Sequence, residues 1–242
     1  MKIMKFGGTS VGRPERMHQV KDLITRGDES KIVVLSALSG TTNSLVSIGE
    51  ALAASDKVLA KSRIDELHTH YNQFYPQLLK SEASREKAAE IIKEHFEFLN
   101  ILLKISFNKA LDRDILAQGE LLSTKLFHIL LEELEIPAVF LSALDFMSID
   151  ENAEPELQKI SDRLKAILAQ HPDDTIFITQ GFICKNHLNE VDNLKRGGSD
   201  YTASLVAAAI QATACEIWTD IDGMHNNDPR IVDKTRPIAE MS

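Results

Sequence analysis

The chain opens on a short apolar-rich run, Lys2 to Phe6, that stops at Gly7-Gly8, the pattern of a strand entering a tight loop. Pro14 then sits where the first turn of a helix tolerates proline, and Met17, Val20, Leu23 and Ile24 form a helical stripe closed by Gly27. Ile32-Val33-Val34-Leu35 is a continuous apolar run of the kind buried on both faces of a parallel sheet. A loop from Ser36 to Asn43 follows, with a helix capped near Asn43. This repeated β-loop-α order predicts an open α/β sheet.

From about Lys57 to Asn108 the strand signal disappears. Between Arg85 and Phe107, Ala88, Ile91, Ile92, Phe96, Leu99, Leu102 and Leu103 recur mostly at spacings of three and four, with charges on the opposite face. The stretch of about 57–110 is therefore expected to be a helical insertion of two or three helices within one domain of residues 1–242. Leu111 to Leu134 continues as a further helix with Gly119 in its interior, which costs about 1 kcal/mol relative to alanine and points to a packing or ligand reason. Strand signals return at Ala138 to Leu141 and Thr175 to Thr179, separated by an amphipathic helix with Leu157, Ile160, Leu164, Ile167 and Leu168 on one face. Ile183-Cys184 and Glu190-Val191 suit a hairpin, Tyr201 to Gln211 an alanine-rich helix, and Glu216 to Thr219 a last strand. The expected fold class is α/β, a mostly parallel sheet covered by helices on both faces.

Composition narrows the function. Against 27 Lys+Arg stand 36 Asp+Glu, a net charge of -9. Such a surface repels phosphate backbones and anionic lipid, so neither nucleic acid nor membrane is the expected partner, and an anionic ligand needs a local cluster of donors. Cys184 and Cys215 stand far apart, which fits neither a disulfide framework nor a zinc site and suggests two buried or half-buried thiols. No metal site is expected from the protein side chains. His68 and His70 lie two apart on a predicted helix and are expected to be solvated. With no apolar leader and no long apolar run, a cytoplasmic protein is the expectation.

Four loops fall after predicted strands: Gly7 to Ser10, Ser36 to Thr42, Arg196 to Asp200 and Thr219 to Gly223. In open α/β sheets this edge binds ligands. Two of the loops pair Gly-Gly with a hydroxyl residue and a nearby cation. Paired glycines let backbone N–H groups approach an anion, and a following helix adds its positive dipole end. Phosphate, and with two such loops a nucleotide, is the natural ligand. The chain has neither Gly-x-x-x-x-Gly-Lys-Ser/Thr nor Gly-x-Gly-x-x-Gly.

Lys5-Phe6-Gly7-Gly8-Thr9-Ser10-Val11 resembles the N-terminal signature of aspartokinases. Gln118 to Ser123, Arg196 to Ala203 and Trp218-Thr219-Asp220 through Asp228-Pro229-Arg230 agree in the same order. The resemblance covers essentially the whole chain and includes the helical insertion, similar to that of lysine-sensitive and bifunctional aspartokinases. It implies the amino-acid kinase (carbamate kinase-like) fold, an α/β/α sandwich. The implied reaction is transfer of the ATP γ-phosphoryl to the side-chain carboxylate of L-aspartate, at the head of lysine, threonine and methionine biosynthesis. The cofactors implied are ATP and Mg²⁺ held mainly through the phosphates; the family often dimerises through its regulatory part, which leaves the assembly open, a homodimer included. Because the nucleophile is already an anion, no general base is needed, only positioning and neutralisation of crowded negative charge.

By this resemblance Lys5 neutralises charge on the transferring group, and Gly7, Gly8, Thr9 and Ser10 offer donors beside it. Asp200 holds Lys5 and Mg²⁺ in register. Arg196 takes the α-carboxylate in a two-pronged pair, Glu120 accepts from the α-ammonium, and Ser36 and Thr42 hydrogen-bond the substrate. Gly198, Ser199, Thr219, Asp220, His225 and Arg230 belong to the nucleotide site. Read without the family, Lys5 is a strand-end cation, Glu120 a helix-surface acid and Asp200 a helix-start charge. Lys195 stands where the family usually has glycine, and His225 where it more often has tyrosine. The family continues past the equivalent of Ser242 into a lysine-bearing nucleotide motif and paired ACT regulatory domains. The chain is accordingly expected to be a kinase domain cut short, with weak or no activity and no lysine or threonine inhibition. Acetylglutamate-type or uridylate-type kinases share the fold, and a non-catalytic module of degenerate kinase fold is a further alternative.

Overall fold

A computed structural model describes residues 1–195, 197–227, 231–232 and 234–240. Five strands form one parallel sheet: β1 (Lys2–Phe6), β2 (Lys31–Leu35), β3 (Val139–Leu141), β4 (Ile176–Gln180) and β7 (Ala214–Trp218). Their order is β3-β4-β2-β1-β7, with Phe6 beside Leu35 and Trp218, and Leu35 beside Gln180. The carboxyl ends of β1, β2, β4 and β7 therefore finish in line. β5 (Ile183–Lys185) and β6 (Val191–Asn193) make a separate antiparallel hairpin.

The period-two alternation of β1 decides where its polar residue goes. Met4 and Phe6 enter an apolar cluster with Val33 and Leu35 of β2, covered by α2 (Pro14–Ile24), α3 (Thr41–Ala53), α4 (Lys57–Leu78), α5 (Glu82–Leu102) and α6 (Lys109–Glu133). Ile3 enters the opposite cluster with Ile32 and Val34, covered by α7 (Ala143–Phe146), α8 (Leu157–Leu168) and α9 (Gly198–Ile210). Lys5 shares the parity of Ile3 and so faces α9.

The helices of 57–110 pack into the same core as the sheet. Tyr71 of α4 is fully buried, tilted against Phe96 of α5, and its hydroxyl lies 3.3 Å from Thr41 Oγ1 of α3. His68, expected in solvent, is half-buried and stacks on Phe96 at 4.4 Å between centroids. α5 starts at Glu82 behind the Ser81 cap and stops at Leu102, short of Phe107.

Three further local readings need correction. Gly8–Val11 is a single helical turn, α1, where a plain tight loop was expected. α3 starts at Thr41, because the left-handed backbone of Gly40 (φ 84°) turns the chain into the helix before Asn43. α9 starts at Gly198, which brings Ser199 and Asp200 into its first turn. Of the two thiols, Cys184 is buried and Cys215 exposed, since β7 is an edge strand open to solvent. No helix among the described residues is long and apolar enough to cross a membrane.

Candidate active site

Two recesses open along the carboxyl edge of the sheet, on either side of α1. The first, about 490 Å³, is lined by Lys5, Gly8, Thr9, Ser36, Thr42, Glu120, Gly198, Ser199 and Asp200 among others. These come from β1, α1, the loop after β2, α3, α6 and α9, so distant stretches of sequence converge on one concavity. The second, about 650 Å³, is lined by Ser10, Thr219, Asp220, Phe6, Trp218, Arg13 and Arg16 among others. The single turn of α1 explains the split, with Thr9 on one recess and Ser10 on the other.

Lys5 is nearly buried, and its ammonium lies 2.7 Å from Asp200 Oδ1. Gly7 keeps the space beside that ammonium open, since a Cβ there would lie 3.3 Å from Lys5 Nζ. The loop leading into the α9 turn that bears Asp200 differs in origin from the expectation. It follows β6 of the hairpin and not a strand of the main sheet, and reaches the edge from the α8–α9 side.

Glu120 is the most unusual group in the site. It is 4% exposed; Oε1 accepts a hydrogen bond from the Ala37 N–H at 3.2 Å, and Oε2 is buried with no partner among the described residues. Loss of hydration pushes its carboxyl up to about 8, against which the Ala37 hydrogen bond acts in the opposite sense. A buried carboxylate oxygen with no donor costs free energy until a donor arrives.

The reason for Gly119 is packing. A Cβ at that position would stand 2.8 Å from Ala37 Cβ and 3.3 Å from Leu45 Cδ1, so the missing side chain lets α6 lie directly on the Ala37 loop and α3. Buried hydrogen bonds fix this contact. Ser123 Oγ donates to the Ser36 carbonyl at 2.8 Å, and Thr124 Oγ1 donates to the Glu120 carbonyl at 2.7 Å. Gln180 Nε2 donates to Thr124 Oγ1 at 3.0 Å, while Gln180 Oε1 accepts from the Ala143 N–H at 2.8 Å. The end of β4 thus holds the turn of α6 that carries Glu120.

His225 lines neither recess; its ring nitrogens contact Thr235 Oγ1 at 2.9 Å and Asp222 Oδ1 at 2.6 Å. Arg196 and Arg230 lie outside the described residues. Sequence reasoning missed Phe182, which lines the first recess in a left-handed conformation (φ 65°). Its position directly after Gln180-Gly181 at a strand end was the available signal, but nothing in a phenylalanine announces a positive φ.

Over residues 1–242 the sequence matches the model of the amino acid kinase family. The chain belongs to this family. Among amino acid kinases it is 30% identical over 99% of its length to lysine-sensitive aspartokinase 3 of Escherichia coli K12, covering 53% of that protein. It is 34% identical over 99% of its length to chloroplastic aspartokinase 1 of Arabidopsis thaliana, covering 43% of that protein. The crystal structure of E. coli aspartokinase III with aspartate and ADP superposes with a TM-score of 0.87 at 29% identity, over 98% of this chain and 53% of that one. The chain thus spans about half the length of the curated relatives it matches. The expected α/β sandwich with a mostly parallel sheet is the fold found.

Proposed function

We propose that this amino acid kinase segment is an aspartate kinase, transferring the ATP γ-phosphoryl to the β-carboxylate of L-aspartate to give 4-phospho-L-aspartate and ADP. The observation that carries the reading is Glu120, a buried carboxylate with one unpartnered oxygen in the same recess as the Lys5–Asp200 pair. An α-ammonium supplies the missing donor. N-acylated or non-amine acceptors do not.

In the reaction a β-carboxylate oxygen forms a bond to the γ-phosphorus while the bond to the β,γ-bridging oxygen breaks and ADP departs. The acceptor is ionised at neutral pH, so the protein removes no proton from it. Lys5, held by Asp200, neutralises charge on the phosphoryl oxygens. Backbone N–H groups of Gly8 and Thr9 and of Ser199 in the first turn of α9 are assigned as further donors, those of Ser10 and Gly198 being taken by the Gly7 and Lys195 carbonyls. Ser36 and Thr42, which line the recess, are assigned to the acceptor, and Arg196 to its α-carboxylate. Thr219 and Asp220, in the adjoining recess with Ser10, are assigned to the nucleotide, as is Arg230, whereas His225, outside both recesses, is not.

Mg²⁺ is proposed as the companion of ATP. The donor set fits a phosphate-held ion, since Asp200 is a half-exposed carboxylate in the recess that holds the Lys5 ammonium. Such an ion would neutralise phosphate charge, with Asp200 as its protein oxygen. Trapping the acyl phosphate with hydroxylamine tests the function. Hydroxamate, at the weak level expected above, is predicted from L-aspartate with ATP and not from N-acetyl-L-glutamate; the reverse preference would overturn the proposal.

A further inference from the structure

The wall of the first recess that leads from β6 into α9 contains a strained cation. Lys195 lines this recess in the left-handed region (φ 60°), where a side chain with a Cβ is disfavoured and glycine is not. The turn itself is made by main chain. The Lys195 N–H donates to Asn193 Oδ1 at 3.1 Å, and its carbonyl accepts from the Gly198 N–H at 3.0 Å. A glycine would make both bonds without strain, so the local fold does not account for the lysine.

Its charge is what a glycine would lack. Lys5 already faces Asp200. Lys195, exposed at the rim, takes part in no ion pair among the described residues. Phe182 on the same wall is also left-handed (φ 65°), its N–H taken by Thr202 Oγ1 at 3.0 Å and its carbonyl by the Leu194 N–H at 2.8 Å. Strain gathered on one wall of a ligand recess is where backbone outliers serve binding.

We propose that Lys195 is a specificity-determining residue of this site, its ammonium binding the side-chain carboxylate of the acceptor. It thereby favours a dicarboxylic amino acid over the corresponding amide. The inference rests on the amino-acid acceptor reading and deepens it. An ammonium at a solvent-facing rim adds a modest, salt-sensitive increment, on the order of fivefold in affinity.

Titration calorimetry of the full chain with L-aspartate and with L-asparagine tests it, using Lys195→Gly, Lys195→Ala and Lys195→Arg. Both truncations are expected to weaken L-aspartate about fivefold and change L-asparagine less than twofold, while Lys195→Arg retains the preference. Thermal unfolding separates charge from backbone: Lys195→Gly is expected to raise Tm by about 2 °C through relief of the positive φ, and Lys195→Ala not to. Unchanged L-aspartate affinity in both truncations, equal losses for the two amino acids, or a loss in Lys195→Gly alone would overturn the inference. Absence of L-aspartate binding by the unsubstituted chain would instead overturn the acceptor reading beneath it.

Discussion

Lys5 Nζ and Asp200 Oδ1 lie 2.7 Å apart, joining the end of the first strand to the first turn of a helix that begins nearly two hundred residues later. The lysine is almost buried, whereas the aspartate side chain is 54% exposed. Solvent therefore screens the pair, and its contribution to stability is about 1 kcal/mol or less. In the proposed reaction its value would be positional, because an ammonium held in one place needs no reorganisation when charge develops on the phosphoryl group. Asp200→Asn is expected to lower Tm by no more than about 3 °C while reducing hydroxamate formation about a hundredfold or more. Parallel, small effects on both would show a surface ion pair and nothing else.

In the proposed site Glu120 would couple ligand binding to a proton. With its carboxyl raised to about 8, the empty site is largely protonated at pH 7, and an arriving ammonium favours the carboxylate. Binding of L-aspartate at pH 7 is expected to release close to one proton, read by calorimetry in buffers of different ionisation enthalpy; Glu120→Gln is expected to abolish the release. The sign for stability follows from the same shift. Between about 4.5 and 8 the unfolded chain loses this proton and the folded chain keeps it, so the contribution of Glu120 falls as pH rises through that window. Unfolding midpoints of the wild type relative to Glu120→Gln should therefore decline from pH 5 to pH 8.

Gly119→Ala sets helix propensity against packing. Alanine gains about 1 kcal/mol as a helix former. Its Cβ, however, meets Ala37 Cβ at 2.8 Å, and the backbone N–H of Ala37 is the donor that holds Glu120. Overpacking by one carbon is expected to win, with a net loss of about 1–2 kcal/mol and weaker L-aspartate binding. Denaturant unfolding and a binding titration check both parts; a variant more stable than wild type would contradict the assigned role of the contact.

Most of the fold was legible because its signals are local and agree with one another. The apolar runs at Ile32 to Leu35 and Ile176 to Thr179 have no reading other than buried strands once helices lie between them. The parity of Ile3 and Lys5 in β1 likewise settles which face receives the lysine. What was not legible depends on geometry between distant segments. For Gly119 the sequence leaves packing and ligand approach as alternatives, and the contact that decides for packing is with Ala37, which lies far away in sequence. The turn of Gly8–Val11 divides the Gly7 to Ser10 signature between two recesses, which no linear motif expresses. The network from Gln180 through Thr124 to the Glu120 carbonyl was invisible for the same reason, since a lone glutamine at a strand end carries no pattern.

His95 gives the acid side of the stability profile. Its Nδ1 lies 2.5 Å from Gln118 Oε1, and Lys125 Nζ lies 3.1 Å from its Nε2. A single neutral tautomer satisfies both contacts, donating from Nδ1 and accepting at Nε2. Burial first and the Lys125 charge second lower the imidazole to about 4. As pH falls from about 6.5 to 4 the unfolded chain takes up a proton that the folded chain refuses, so stability declines over that range. His95→Gln is expected to flatten this limb in thermal melts at pH 4 to 7; an unchanged limb would contradict a neutral, buried imidazole.

The central claim is that an unpartnered buried carboxylate recognises a free α-ammonium beside a phosphoryl-neutralising lysine. Calorimetric titration of the chain with L-aspartate and N-acetyl-L-aspartate tests it most directly, because the two ligands share both carboxylates and differ at the amine. The account predicts that L-aspartate binds with proton release and N-acetyl-L-aspartate does not bind measurably, and that Glu120→Gln removes the distinction. Equal affinity of the wild type for both ligands would contradict it.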